Sequence, residues 1–408
     1  MLSVKPAADT LEATLREVVE TLAPLDRTPC SPGEREAAEW LAARLRAVSG
    51  VEVVLEDEPS WGIFAPTVTG LGALGMIAAA LTLRGRRASG ALLAVGALAG
   101  IVDEAQNGPR LLRRLVRHRR STVNVVARAG DREAPAGTLV VLAHHDAPQT
   151  GMLFDQALQR AVYERFPQVI ERFKTSLPQW WLGLAGPLAT LAAALRGRRG
   201  PAYAGLLLGA LGTMLVADVW RSPTVPGAND NLSGVAVLVA LAELLRERSL
   251  PGLRVLLVSC GAEETLQDGV RAFLARHRHE LEPGRTWFAN LDTVGSPHLV
   301  SLEAEGPVWM ESYSGPWLRD LLATCAERAG VELQRGFRAR ASTDSVIPSR
   351  AGYPVVTLVS MTDWRALANY HLPSDVPANL DFGTVADATR LVYELAGALA
   401  GGVAPQRT

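Results

Sequence analysis

Counting from one charged residue to the next exposes four long uncharged stretches. They are Pro59–Leu83, Ala88–Val102, Thr175–Leu195 and Gly200–Ala217, of 25, 15, 21 and 18 residues. A helix crossing a bilayer needs roughly 17–25 mostly apolar residues, so three are long enough and the second is short. They come in two pairs, each joined by a tight basic link, Arg84-Gly85-Arg86-Arg87 and Arg196-Gly197-Arg198-Arg199. The pairs resemble each other locally, TLRGRRASGALLAVGALAG beside ALRGRRGPAYAGLLLGALG, as an internal duplication would. Gly and Ala dominate them, which suits close helix packing in lipid, and Trp180, Trp181 and Trp220 stand at their ends, where interfacial aromatics belong. We read two membrane hairpins; buried helices of a large soluble core are the alternative.

Two hairpins leave everything else on one side of the bilayer. The two links carry six arginines, against eleven basic residues close to the runs on the other side (Arg110, Arg113, Arg114, Arg117, Arg119, Arg120, Arg160, Arg165, Arg172, Lys174, Arg221). That excess places the larger part in the cytoplasm of a cell-membrane protein. Met1–Pro24 has no basic start leading into an apolar run, so no targeting signal is expected; Leu11, Leu15, Val18, Val19 and Leu22 recur at helical spacing instead. The formal net charge of −1 excludes a strongly basic nucleic-acid binder. Cys30, Cys260 and Cys325 are widely spaced with no CxxC, which excludes a disulfide framework or a zinc finger.

Outside the hairpins, strand and helix patterns alternate. Ser31-Pro32-Gly33-Glu34 reads as a capping box opening a helix to about Val48, followed by a strand over Val51–Leu55. Thr122–Ala127, Thr138–Ala143, Leu253–Ser259, Thr286–Leu291, Leu299–Glu303 and Pro354–Leu358 read as strands. Leu232–Arg246, Asp268–His279, Pro316–Ala329 and Thr384–Leu399 read as helices. The alternation points to an α/β three-layer sandwich with a mixed, largely parallel central sheet. One catalytic domain is expected from residues 1–60, 104–174 and 218–408, with hairpins inserted at 61–103 and 175–217.

Acidic and histidine residues recur at the C-terminal ends of these strands, where open α/β sheets place their sites. VVLAHHDAP offers His144 and Asp146; residues i and i+2 of an extended segment share a side, so Asp146 can orient His144 while His145 faces away. PGANDNLSG holds Asp230, which read alone is equally a helix cap. VLLVSCGAEE ends in Glu263 and Glu264, adjacent carboxylates that repel unless a cation or shared proton compensates. Asp292 closes WFANLD and His371 sits in NYHLPSD. His144, Asp230, Glu264, Asp292 and His371 make two imidazoles and three carboxylates, the ligand set of a two-metal site with one bridging carboxylate. Nitrogen and oxygen donors without thiolate suit zinc, with manganese or cobalt as alternatives. Glu263, beside a ligand and free itself, is placed to take a proton from water.

The order HxD, PGAxDNxSG, GAEE, NLD, YHxPxD resembles the M28 family of metallopeptidases, the co-catalytic zinc aminopeptidases and their relatives. TVNVVARAG, STDSVIPSRAGYPVVTL and NYHLPSDVPANLD are similar to the family's flanking segments. The likeness covers roughly residues 34–60 and 121–398. It implies a zinc exopeptidase-like fold with two zinc ions per chain, one on His144 and Asp292, the other on Glu264 and His371, bridged by Asp230. It further implies Asp146 as the residue orienting His144 and Glu263 as the general base toward a zinc-bridged water. The function implied is that of a membrane-anchored exopeptidase, an aminopeptidase, with a peptide or small amide as substrate and the bilayer as partner. A non-peptidase amide hydrolase or cyclase, and a non-catalytic binding protein, are the alternatives on the same fold. Two positions depart from the family pattern: Asn229, where Asp is common, and GAEETLQDGVRAF in place of GAEExGLxGSxxF. The run RLLRRLVRHRR (residues 110–120) reads as an amphipathic interfacial helix.

Overall fold

The computed structural model describes residues 8–131 and 135–402. Its sheet is mixed, and among the described residues it comprises β1 (Glu52–Ser60), β2 (Arg120–Gly130), β3 (Gly137–His144), β4 (Leu253–Cys260), β5 (Thr286–Leu291), β6 (His298–Glu305), β7 (Glu311–Ser312), β8 (Gln334–Ala339) and β9 (Val355–Met361). The spatial order is β1-β2-β4-β3-β5-β9-β6-β7, with β8 beside β6. The four central strands β4, β3, β5 and β9 run parallel, and antiparallel pairs flank them. Strands buried on both faces read as continuous apolar runs. In β3, Leu139, Val141 and Ala143 enter one core while Val140 and Leu142 enter the other.

The first core is covered by α1 (Ala8–Leu22) and α2 (Pro32–Arg46), joined later in the chain by α10 (Ser233–Glu247), α12 (Pro316–Ala329) and α14 (Phe382–Ala400). The five apolar residues at helical spacing in α1 are all buried there. The second core lies under α11 (Asp268–His277) and the short α13 (Val346–Arg350). Only half of the capping box at Ser31 forms. Ser31 Oγ accepts from Glu34 N, but the Glu34 carboxylate turns inward to accept from Cys30 N, Thr122 Oγ1 and Ala262 N.

The apolar stretches form α3 (Ala65–Leu83), α4 (Arg87–Ala105), α8 (Trp181–Arg196) and α9 (Arg199–Arg221), packed on one another as one bundle. The boundaries differ from the uncharged runs for local reasons. Pro59 and Ser60 belong to β1, and residues 175–180 are not helical, so two of the helices start late. Helix α4 continues past the end of its uncharged run at Val102, with Glu104 buried and paired with Arg113. Asp103 accepts from the backbone N–H groups of Arg110 and Leu111. Ala65–Leu83, Arg87–Ala105 and Arg199–Arg221 are long and apolar enough to cross a membrane; α8 is shorter. The same measure selects Ala228–Glu247, but 94% of that window is buried against 28% for Arg199–Arg221, so α10 is a core helix of the sandwich.

Helix α5 (Leu111–Val116) forms within the basic run, and only part of that run's positive charge is free to meet a lipid surface. Arg110 and Arg113 are buried whereas Leu111, Leu115 and Val116 are exposed. Each buried guanidinium finds backbone carbonyls as well as a carboxylate, which compensates the cost of taking the charge out of water. Two more short helices, α6 (Ala157–Arg165) and α7 (Pro167–Glu171), lie in the long segment between β3 and α8.

Candidate functional site

Strands β3, β4, β5 and β9 end at one rim of the sheet. His144 is the last residue of β3, paired in register with Cys260 at the end of β4; Asp292 follows β5, and His371 lies in the loop after β9. Asp230 stands in a kinked turn, Ala228–Leu232, that opens α10. The fold thus collects five residues spread over more than two hundred positions of sequence. Asp230 lies between the two imidazoles: its Oδ1 is 3.3 Å from His144 Nε2 and its Oδ2 is 3.2 Å from His371 Nε2. Two groups share it, His144 with Asp230 and Asp292, and Asp230 with Glu264 and His371, each with ligand-type atoms close enough to hold one cation. Glu264 Oε1 is 3.4 Å from His371 Nε2, and Glu263 Oε2 is 4.0 Å from His144 Nε2.

The electrostatics favour a cation here. Burial pushes Glu263 and Glu264 well above the usual carboxylate range, with neighbouring carboxylates adding to the shift. Burial and Asp230 raise Asp292 to about 6. Asp230 goes the other way: burial opposes ionisation, but His144 and His371 beside it hold its carboxyl below the ordinary value. Asp230 Oδ2 and His371 Nε2 are buried and make no hydrogen bond, although they face each other. Two acceptors aimed at one point, inside a set of mutually repelling carboxylates, fit a divalent cation with nitrogen and oxygen ligands.

Asp146 accepts hydrogen bonds from Glu263 N at 3.1 Å and Glu264 N at 3.0 Å, and its carboxylate lies 3.4 Å from His144 Nδ1. It therefore ties the ends of β3 and β4 together as well as facing the imidazole. His145 points away and meets Ser259 Oγ at 2.9 Å. The rings of Tyr370 and Phe154 flank His371 at 3.9 and 4.1 Å between centroids.

Several residues around the cluster were not singled out in the sequence. Arg27, fully buried, donates to the carbonyls of Leu22, His145, Pro226 and Gly227, clamping the loops that carry His144 and Asp230. Asp375 accepts from Asn229 N and Asp230 N. It is the final residue of the NYHLPSD motif, the one signal that could have found it. Asn229 turns its side chain outward from the cluster, to Ser296 Oγ, Gly295 N and the Ala368 carbonyl, so its departure from the family pattern tightens loops. The second departure falls in the loop around Glu263 and Glu264, where Ala262, Leu266 and Gln267 are left-handed. Gln267 Nε2 donates to Glu263 Oε1 at 2.5 Å. Asp268 pairs with Arg110 at 2.6 Å, while Arg110 and Arg113 donate to the Thr265 carbonyl. The loop bearing both glutamates is thus fastened to the segment that leaves the first hairpin.

The segment 152–173 covers the rim. Gln156 and Gln159 donate to the carbonyls of Leu367 and Trp364 in the loop before His371. Beneath it a cleft of about 430 Å³ reaches Asp230, Glu263, Glu264 and Asp292, and carries Arg340 and Arg365.

Residues 213–396 match the model of peptidase family M28. Comparison with curated proteins yields no match. Among solved structures, a leucine aminopeptidase precursor from Bacteroides thetaiotaomicron aligns with a TM-score of 0.54 at 14% identity, over 95% of this chain and 96% of that one. A Zn-dependent exopeptidase from Parabacteroides distasonis aligns at 0.51 and 13% identity, over 94% and 97%. A glutaminyl cyclase from Bacteroides thetaiotaomicron, bound to N-acetylhistamine, aligns at 0.54 and 14% identity, over 95% and 97%. The resemblance carried by the motifs stands, and the fold is a zinc exopeptidase-like α/β sandwich to which an apolar helical bundle is joined.

Proposed function

We propose that the protein is a membrane-anchored, two-zinc exopeptidase, an aminopeptidase that hydrolyses peptide bonds with Glu263 as general base. The family match and the zinc-peptidase likeness support a metallopeptidase; the observation that carries the finer reading is Asp230, with one carboxylate oxygen toward each imidazole. His144 and Asp292 would hold one ion, Glu264 and His371 the other, and Asp230 both. Zinc bound there would lower the pKa of water and polarise a carbonyl. Glu263, at the edge of the cluster, accepts the proton of the attacking water and returns it to the departing amine. Gln267 fixes its carboxylate, and its burial raises its proton affinity. Asp146 holds His144 and the glutamate-bearing loop in place.

The bundle is the proposed anchor. Its outward positions carry large apolar side chains, among them Ile77, Leu92, Leu195 and Leu207. Its two basic links meet at the far end, where Arg87 donates to the Gly197 carbonyl. Helix α8 rises only about 24 Å at 1.5 Å per residue, so the bilayer would be thinned beside it or the non-helical residues before it would enter the interface. With Arg110 and Arg113 buried, nine of the eleven near-side basic residues remain for the lipid surface, still more than the six in the links, which supports a cytoplasmic catalytic domain.

Zinc content tests the bridge. Wild type is expected to hold two zinc ions and Asp230→Ala neither; two ions retained in the variant would sink the bridging assignment. A second reading, cyclisation of an amino-terminal glutamine, is favoured by the likeness to a glutaminyl cyclase. Product masses separate them: cyclisation expels ammonia and leaves chain length unchanged, whereas hydrolysis shortens the peptide.

A further inference from the structure

The candidate site opens toward the bundle as well as toward the cleft under residues 152–173. The space beside Glu263, Glu264 and His371 is walled on its other side by Val68 in α3, Leu182 in α8, and Leu215 and Val216 in α9. These four lie in the turns nearest the sandwich, at the start of α3 and α8 and toward the end of α9. Trp180, packed against Phe64, lines the same space; half-exposed Trp181 follows it in α8, and half-exposed Trp220 lies one turn beyond Val216 in α9. Aromatics of this kind mark a membrane–water interface.

The reacting groups therefore share a cavity with helices that the proposed function puts in lipid. A peptide lying at the bilayer surface meets an aliphatic face on the bundle side and a cleft with two guanidinium groups, Arg340 and Arg365, on the other. Neither arginine has a carboxylate partner among the described residues; Arg340 lies over the Trp181 ring. The two openings match an amphipathic chain with apolar residues toward the bundle. We infer that the site acts on peptides held at the bilayer surface by an apolar segment, with the residues next to the cleaved bond packed against α3, α8 and α9. The inference rests on the peptidase reading and names its substrate class.

The test uses the full chain in phosphatidylcholine vesicles and three peptides. Two carry a palmitoylated lysine at the carboxyl end and differ only in having leucine or serine at the residues next to the cleaved bond; the third is the leucine peptide without the anchor. Wild type is expected to favour the anchored leucine peptide over both others. Val216→Trp, which fills the wall, is expected to lower the leucine-to-serine ratio of kcat/KM for the anchored pair about tenfold. Leu207→Trp, the same kind of enlargement on the outer face of the bundle, is expected to leave that ratio at the wild-type value. An equal ratio in wild type and Val216→Trp would overturn the inference, because concentration on the vesicle favours both anchored peptides alike; so would a free leucine peptide cleaved as well as the anchored one. A second readout needs no turnover. In Glu263→Gln protein, a photoreactive leucine analogue at the second position of the anchored peptide is expected to crosslink to α3, α8 or α9. Crosslinks confined to the sandwich would overturn the inference. Bundle crosslinks with none of the peptides hydrolysed by wild type would instead count against the peptidase reading.

Discussion

In the sandwich the large apolar side chains point inward; in the bundle many point outward. Leu139, Leu257 and Phe288 are fully buried between helices and sheet, whereas Leu92, Leu195 and Leu207 are 72%, 75% and 71% exposed. The bundle interior is mostly Gly, Ala and Thr, with a few large side chains such as Leu71, Ile101 and Leu184. A Cβ on Gly186 would lie 2.6 Å from the Gly209 backbone, so α8 and α9 touch main chain to main chain. One chain follows two packing rules, as the proposed membrane anchor would require of a fold with two surroundings. Where water surrounds the fold, burying apolar area drives it. Where hydrocarbon surrounds it, that drive vanishes and close approach of small residues replaces it.

The largest effects expected are at full burial and at the seam. Phe288→Ala in β5 should cost about 3–5 kcal/mol, while Leu207→Ala should stay within about 0.5 kcal/mol. Urea midpoints would measure both, and a comparable cost at Leu207 would mean that protein, not lipid, covers that face. Arg113→Ala leaves the buried Glu104 unpaired and frees the Thr265 carbonyl, with an expected cost of about 3–5 kcal/mol and slower turnover through the glutamate-bearing loop. Unchanged stability and activity would show that the seam is not a link between the two regions.

Next comes Leu207→Arg, expected to disfavour membrane residence by about 2.5–3.5 kcal/mol while the detergent-solubilised protein keeps its melting temperature. Membrane fractionation reads the first and a thermal melt the second. Gly186→Leu should open the bundle at about 1–3 kcal/mol, seen as faster proteolysis of the links with the sandwich intact. The most gradual effect is in pH. Glu305, buried beside Thr343 and Tyr313, is pushed up to about 8 by burial. A raised folded-state pKa means the protonated form is the stable one. Its contribution is whole below the unfolded value near 4.5 and is lost as pH rises through about 8, at no more than about 1.4 kcal/mol per pH unit. Glu305→Gln should flatten that slope in the sandwich and leave the bundle untouched.

What the sequence made legible follows the same division. Thr286–Leu291 and Pro316–Ala329 form over the residues expected, because period and punctuation agree there. The candidate ligands were legible as acids and histidines at strand ends. The inward turn of Arg110 and Arg113 was not, nor were the clamp at Arg27 and the side-on role of Glu34. Their partners are mostly backbone carbonyls and N–H groups, which every residue offers and no sequence pattern marks. Strand β8 was missed because its Gln, Arg and Gly residues sit at a partly exposed edge and show no apolar alternation.

The most direct test of the account is digestion of a mixed peptide library by zinc-loaded, detergent-purified full chain beside Glu263→Gln, with zinc measured in both. The account predicts stepwise trimming from the amino end by wild type, and turnover lowered on the order of 10²–10⁴-fold in the variant with zinc content unchanged. Trimming that survives in Glu263→Gln, or zinc lost together with activity, would contradict it.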